Sequence, residues 1–294
     1  MRSLARLALL LLLVACAPLP DGGDIASTRL PATTDAPLPP TSTIPIGPTQ
    51  PPPGCPEDDG FVDGGRVMRV DQPTSDTNSV GLISWMAVDG CEQFTFRFET
   101  NEGAPATTPP TIVADFSESR QVLRLWTSAQ SSVVTDQLVE TPLVDRMFVV
   151  RGLAGGIYVD LHLESPAQAR AEVSNSPAHL TVYLEPGIDP FDSTAVYGQT
   201  VVVTAPAVGA EAVAGIPVDV TGYARTMEAN VLIGATVDGQ LVAETTATAA
   251  DSTETWGEFS APIQLPPGQV SLFVGEPGPE EGDPIGVTID LTVR

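Results

Sequence analysis

Gly156-Ile157-Tyr158-Val159-Asp160-Leu161-His162-Leu163 decides the fold class. Apolar residues recur at every second position, which is the period of a pleated strand and not of a helix. Ile157, Val159, Leu161 and Leu163 share one face, and Tyr158, Asp160 and His162 share the other. The reading is a half-buried strand whose polar face, His162 included, looks toward solvent. The same alternation runs through residues 65–70, Phe94-Thr95-Phe96-Arg97-Phe98, residues 121–126, residues 146–151 and residues 179–184. Gly103-Ala104-Pro105, Pro109-Pro110 and Leu153-Ala154-Gly155-Gly156 interrupt it as turns. No stretch holds helical spacing for three turns, so residues 55–187 are expected to form an all-β sandwich domain.

Beyond a proline-containing hinge at residues 188–199, a second set of strands begins at Thr200-Val201-Val202-Val203-Thr204. Asp238-Gly239 marks a tight hairpin, because both residues tolerate positive φ. Strand patterns around it and at residues 257–263, 269–274 and 285–293 bring the number to about seven within residues 200–294, the pattern of an immunoglobulin-like sandwich. A hinge between two such units implies domains that melt separately.

The N-terminus supplies the address. Arg2 and Arg6 precede an apolar run that ends in Leu13-Val14-Ala15-Cys16. A basic start, a short apolar core and small residues before the cut make a signal peptide over residues 1–15. Leu-Val-Ala-Cys resembles the lipobox of bacterial lipoproteins, which implies lipid attachment at Cys16 and a place on the extracytoplasmic face of the cell membrane. Residues 16–54 follow as a disordered tether rich in proline and threonine, with Pro39-Pro40 and Pro51-Pro52-Pro53. Proline removes amide donors and favours extended polyproline II. At about 3.1 Å per residue, such a tether reaches on the order of 100 Å. With Cys16 acylated, Cys55 and Cys91 remain as an even pair in an oxidising compartment and are expected to form a disulfide.

Composition narrows the partners. Thirteen arginines, no lysine and 37 acidic residues give a net charge of −24. Nucleic acid needs clustered cations and is excluded as a partner. Catalytic signatures are missing too: there is no Gly-x-Ser-x-Gly, His-Glu-x-x-His or phosphate-cradling glycine loop. Glu57-Asp58-Asp59, with Asp63, and Glu280-Glu281-Gly282-Asp283 lack the spacing of a calcium loop and read as solvated turns. No catalytic residue, metal ligand or cofactor is assigned, and the chain is not expected to be an enzyme. Trp126, at the end of an alternating strand, is the candidate glycan contact, since sugar rings stack on exposed aromatic faces.

Two resemblances add to this reading. The order of a strand over residues 91–98, an acid-and-glycine turn, the strand at 120–126, Tyr158-Val159-Asp160-Leu161 and the closing Leu180-Thr181-Val182-Tyr183-Leu184-Glu185-Pro186 resembles the AMIN-like domain of actinobacterial secreted proteins. Where that family often carries an Asp-Arg pair, Glu92-Gln93 stands here. Thr221-Gly222-Tyr223-Ala224-Arg225, Glu228-Ala229-Asn230-Val231, Asp238-Gly239 with Leu241-Val242-Ala243-Glu244, and Trp256-Gly257-Glu258-Phe259 together resemble the immunoglobulin-like domain of bacterial spore germination. The AMIN-like resemblance implies a non-catalytic envelope module that contacts peptidoglycan or another wall polymer. The other reading is an accessory or assembly factor for envelope proteins in sporulation, germination or division, without glycan binding.

Overall fold

The computed structural model describes Pro56 and residues 60–88, 90–276 and 284–294. The expected signal peptide, Cys16, the tether, Cys55 and most of the two acidic clusters lie outside these residues. Among the described residues there is no α-helix, and the chain is built from strands. The first set is β1 (Arg66–Val70), β2 (Ser79–Val88), β3 (Cys91–Glu99), β4 (Ile112–Phe116), β5 (Val122–Thr127), β6 (Ser131–Ser132), β7 (Asp136–Leu138), β8 (Val144–Arg151), β9 (Ile157–Leu163), β10 (Ala167–Ser174) and β11 (His179–Pro186). The second is β12 (Val196–Tyr197), β13 (Val201–Ala205), β14 (Glu211–Ala212), β15 (Val218–Ala224), β16 (Asn230–Val237), β17 (Gln240–Thr248), β18 (Trp256–Ile263), β19 (Gly268–Glu276) and β20 (Ile285–Val293).

Each expected strand is present, with its alternation converted into burial. In β3, Phe94, Phe96 and Phe98 point into the core while Arg97 faces out. Fully burying each such side chain contributes about 2 kcal/mol by area. The first core closes between the five-stranded sheet β10-β11-β3-β2-β6 and the strands β1-β4-β5-β9-β8. The second closes between β14-β20-β19-β16-β17 and the strands β18-β15-β13-β12. The Asp238-Gly239 turn has φ of 49° and 76°, the pair of positive values that a mirror-image hairpin turn requires. Strands β2, β4 and β10 escape the sequence pattern. β2 breaks its alternation at an irregularity between Val80 and Ile83, and β10 is largely alanine and polar residues.

Residues 188–199 are not a bare connection. Phe191 packs against the first core, Val196 against the second, and Tyr197 against a third apolar cluster that lies between them. The third cluster exists because the two sandwiches share a sheet. β8 pairs in parallel with β18, Val150 opposite Trp256 and Arg151 opposite Gly257. One ten-stranded sheet therefore runs from β1 through β9, β8 and β18 to β12, and residues 51–294 make a single compact unit. A shared sheet couples the two sandwiches and gives them reason to unfold together. Calorimetry of the chain should show one cooperative transition with matching calorimetric and van't Hoff enthalpies; two resolved transitions would show that the shared sheet does not couple the sandwiches.

Candidate functional site

Strand β9 carries the chemistry. Its polar face, expected toward solvent, is covered, and every residue from Ile157 to Leu163 is buried. Asp160 and His162 are both 0 % exposed. The reason is the neighbouring sandwich, which lays Tyr223 of β15, Val202 of β13 and Trp256 of β18 over this face, with Tyr197 of β12 packed alongside. Three rows cross the sheet beneath them: Val122, His162 and Arg146; Arg124, Asp160 and Phe148; Trp126, Tyr158 and Val150. Period-two geometry thus places a cation, an anion and an imidazole within one patch of a continuous sheet.

Arg124 forks onto Asp160, with Nε 2.9 Å from Oδ1 and Nη2 2.8 Å from Oδ2. Its guanidinium lies 3.8 Å above the Tyr158 ring centre, and Nη1 stands 3.6 Å from Oε1 of Glu258 on β18. Burial raises the Asp160 pKa; the Arg124 charge opposes this without cancelling it. Burial acts to lower the Arg124 pKa, but Asp160 outweighs it, so the guanidinium stays charged. His162 is pushed down to about 3 by burial and by the charges of Arg146 and Arg124. Its ring is therefore neutral at any ordinary pH.

His162 joins the two sandwiches. Nδ1 lies 2.8 Å from the Tyr197 hydroxyl, and Nε2 is hydrogen-bonded to the Tyr223 hydroxyl. One tautomer satisfies every member: Gln121 donates to Tyr197, Tyr197 donates to Nδ1, Nε2–H donates to Tyr223, and Tyr223 donates to Asp160. Burial lifts the Tyr197 pKa to about 12 and those of Tyr158 and Tyr223 well above their usual value, so all three stay protonated. Phe148 fills the centre, its ring edge-on to His162 at 5.2 Å and to Trp256 at 5.0 Å.

Further contacts rim the seam. Glu258 accepts the Leu153 amide at 2.9 Å. Asp136 accepts the Trp256 indole at 3.2 Å and lies 3.7 Å from Arg225. Asp251 gathers the amides of Thr253 and Thr255, both at 2.9 Å, with their hydroxyls, and faces Arg151 of β8 at 3.7 Å. Burial would raise its pKa, yet these donors hold it far below the carboxylate range. Gly257 is needed here, since a Cβ would sit 2.2 Å from the backbone N and O of Asp251.

Chemically this arrangement fastens. While the sandwiches are joined, His162 is neutral with no exposed surface and Asp160 is committed to Arg124 and Tyr223. A cleft of about 330 Å³ opens at its edge, lined by Ser117, Glu118, Gln121, Arg124, Asp160 and Thr204 among others. No group of three metal-ligating side chains occurs among the described residues. Of the residues singled out in sequence, Trp126 lies on the seam-facing side of β5, half-buried against the third cluster, with its indole N–H 3.2 Å from the Gly155 carbonyl. Gly156 touches that ring at a φ of +77°, where a Cβ would also meet the Thr127 carbonyl at 2.6 Å. Cys91 is buried at the head of β3. Trp256 packs in the seam between the sandwiches. Glu92 turns out to be buried, accepting the Leu143 amide at 2.8 Å and the Thr141 hydroxyl at 2.6 Å. Arg124, Phe148, Tyr197 and Tyr223 were not singled out for the seam. Arg124 breaking an apolar strand was the one local hint; nothing in sequence spacing links residue 162 to residue 223.

Residues 200–283 match the family described as the immunoglobulin-like domain of bacterial spore germination. No curated protein and no solved structure matches the chain. The matched segment supplies Val202, Tyr223, Trp256 and Glu258 to the seam, while the β9 side of it lies outside the match.

His162 gives a pH test. The folded imidazole resists protonation down to about 3, whereas in the unfolded chain it titrates near 6.5. Stability is therefore lost as pH falls below the unfolded value. Relative to His162→Gln, the wild-type chain should lose about 1.4 kcal/mol from about pH 7.5 to about 5.5 in denaturant titrations. The comparison removes the opposing contribution of Asp160. Parallel curves for the two proteins would show that His162 is not buried neutral.

Proposed function

We propose that this chain is a non-catalytic, lipid-anchored envelope protein whose two β domains act as one rigid body that binds cell-wall polymer. The observation that carries the reading is the seam: the side chains best suited to acid–base work are spent on joining an immunoglobulin-like domain to its neighbour. The match of residues 200–283 supports a non-catalytic interaction role. The AMIN-like resemblance of residues 55–187 supports the wall as the partner. The acidic net charge supports uncharged or locally cationic wall components over anionic lipid headgroups. Cys16 is the proposed lipid site and Trp126 the proposed sugar contact. Cys55 and Cys91 are the proposed disulfide, which would restrict a loop of about 37 residues and add roughly 4 kcal/mol in the entropy model. The second reading, an accessory factor for an envelope protein, is favoured by the domain match alone.

Two experiments separate these. Full-length protein should sediment with purified peptidoglycan across salt concentrations, and Trp126→Ala should weaken this by about tenfold, within the range of a lost stacking contact. Failure to sediment, with recovery of one envelope protein instead, selects the accessory reading. Cys16→Ser should move the protein from the membrane fraction to the medium or leave it unprocessed, because two acyl chains give stable attachment. A variant that stays in membranes at wild-type mass would remove the lipobox assignment.

A further inference from the structure

We infer that the outer face of the sheet β10-β11-β3-β2-β6 carries a groove for the end of a peptide: a free terminal carboxylate beside a small aliphatic residue. The inference deepens the wall-binding proposal and rests on it. The groove is about 550 Å³, in the range of small-ligand sites. It lies where β3 and β11 set Arg97 directly opposite His179, with Leu82, Thr95, Glu99, Pro105 and Pro177 also on its walls.

Arg97 is set apart by its lack of a carboxylate. Among the described arginines, Arg66, Arg69, Arg120, Arg124, Arg146, Arg151, Arg170, Arg225 and Arg294 each have an acidic partner within salt-bridge distance. Arg97 is exposed, and no such pair involves it among the described residues. Glu99, on the same strand face, lies against Gly81 instead, where an added Cβ would stand 2.5 Å from its Oε1. In a chain of net charge −24, a guanidinium with no ion pair among the described residues keeps its planar donor fork for an incoming carboxylate.

His179 supplies the complementary group. Its Nδ1 is 3.0 Å from the Pro177 carbonyl and so carries the proton. In the neutral ring Nε2 is then an acceptor, suited to the peptide N–H that precedes a terminal carboxylate. Leu82, 51 % exposed, and the two prolines offer apolar surface for a methyl-sized side chain. Wall peptides present ends of this kind: short side chains and free carboxylates.

Titration calorimetry of the full-length chain in detergent, with N-acetyl-alanyl-alanine and its C-terminal amide, tests the site. The acid should bind and the amide should bind at least about tenfold more weakly. Arg97→Gln should abolish that preference and Arg97→Lys should keep part of it, with melting temperatures unchanged because the side chain is exposed. Equal binding of acid and amide, unaltered binding by Arg97→Gln, or no binding of the acid at about 10 mM would each overturn the inference. Tighter binding of polyglutamate, lost in Arg97→Gln, would overturn the terminal-carboxylate assignment in favour of an acidic protein. Sedimentation with peptidoglycan keeps the two proposals distinguishable. If wild type and Arg97→Gln sediment equally, the groove inference fails while wall binding stands.

Discussion

The fold depends on one buried ion pair. Asp160 has no exposed surface, and an isolated carboxylate there would cost several kcal/mol in lost hydration. Arg124 offsets that cost with two well-aligned hydrogen bonds, and the Tyr223 hydroxyl supplies another donor from the second sandwich. Asp160 and His162 find all these partners only when both sandwiches are present and correctly placed. A buried polar network of this kind contributes positional specificity more than raw stability, because misplacing it by one residue orphans several groups at once. Apolar contact among Phe148, Val202, Tyr223 and Trp256 provides the attraction, and the hydrogen bonds set the register.

Charge is distributed by the same logic. The chain is strongly acidic, yet three of its arginines are placed at the joins. Arg124 reaches Glu258, Arg151 reaches Asp251 and Arg225 reaches Asp136, in each case between strands of different sandwiches or their loops. These pairs are partly exposed and individually weak, roughly 1 kcal/mol or less. Their value lies in removing acid–acid repulsion where two acidic bodies meet.

Fold class and the main strands were legible because a half-buried antiparallel strand writes its burial into a two-residue period. Asp238-Gly239 was legible because φ is locally determined. β2 and β10 were not, since an irregularity resets the phase in one and small residues blur it in the other. The candidate site was the least legible part. Alternation assigns Tyr158, Asp160 and His162 correctly to one face, but whether that face meets water or protein is decided by residues about 60 positions further along. The proline-containing stretch 188–199 looked like a hinge because its local chemistry is that of a linker; packing of Phe191, Val196 and Tyr197 is a tertiary outcome.

The parallel pairing of β8 with β18 has a consequence for how such a protein could be rearranged over time. A module whose free edge is also its neighbour's sheet, and whose covering aromatics seal its neighbour's polar strand, is not an interchangeable part. Recombination at the linker would leave Asp160 and His162 facing water on one side and Tyr223 and Trp256 stranded on the other. The boundary that is visible in the order of residues is therefore not a boundary in free energy.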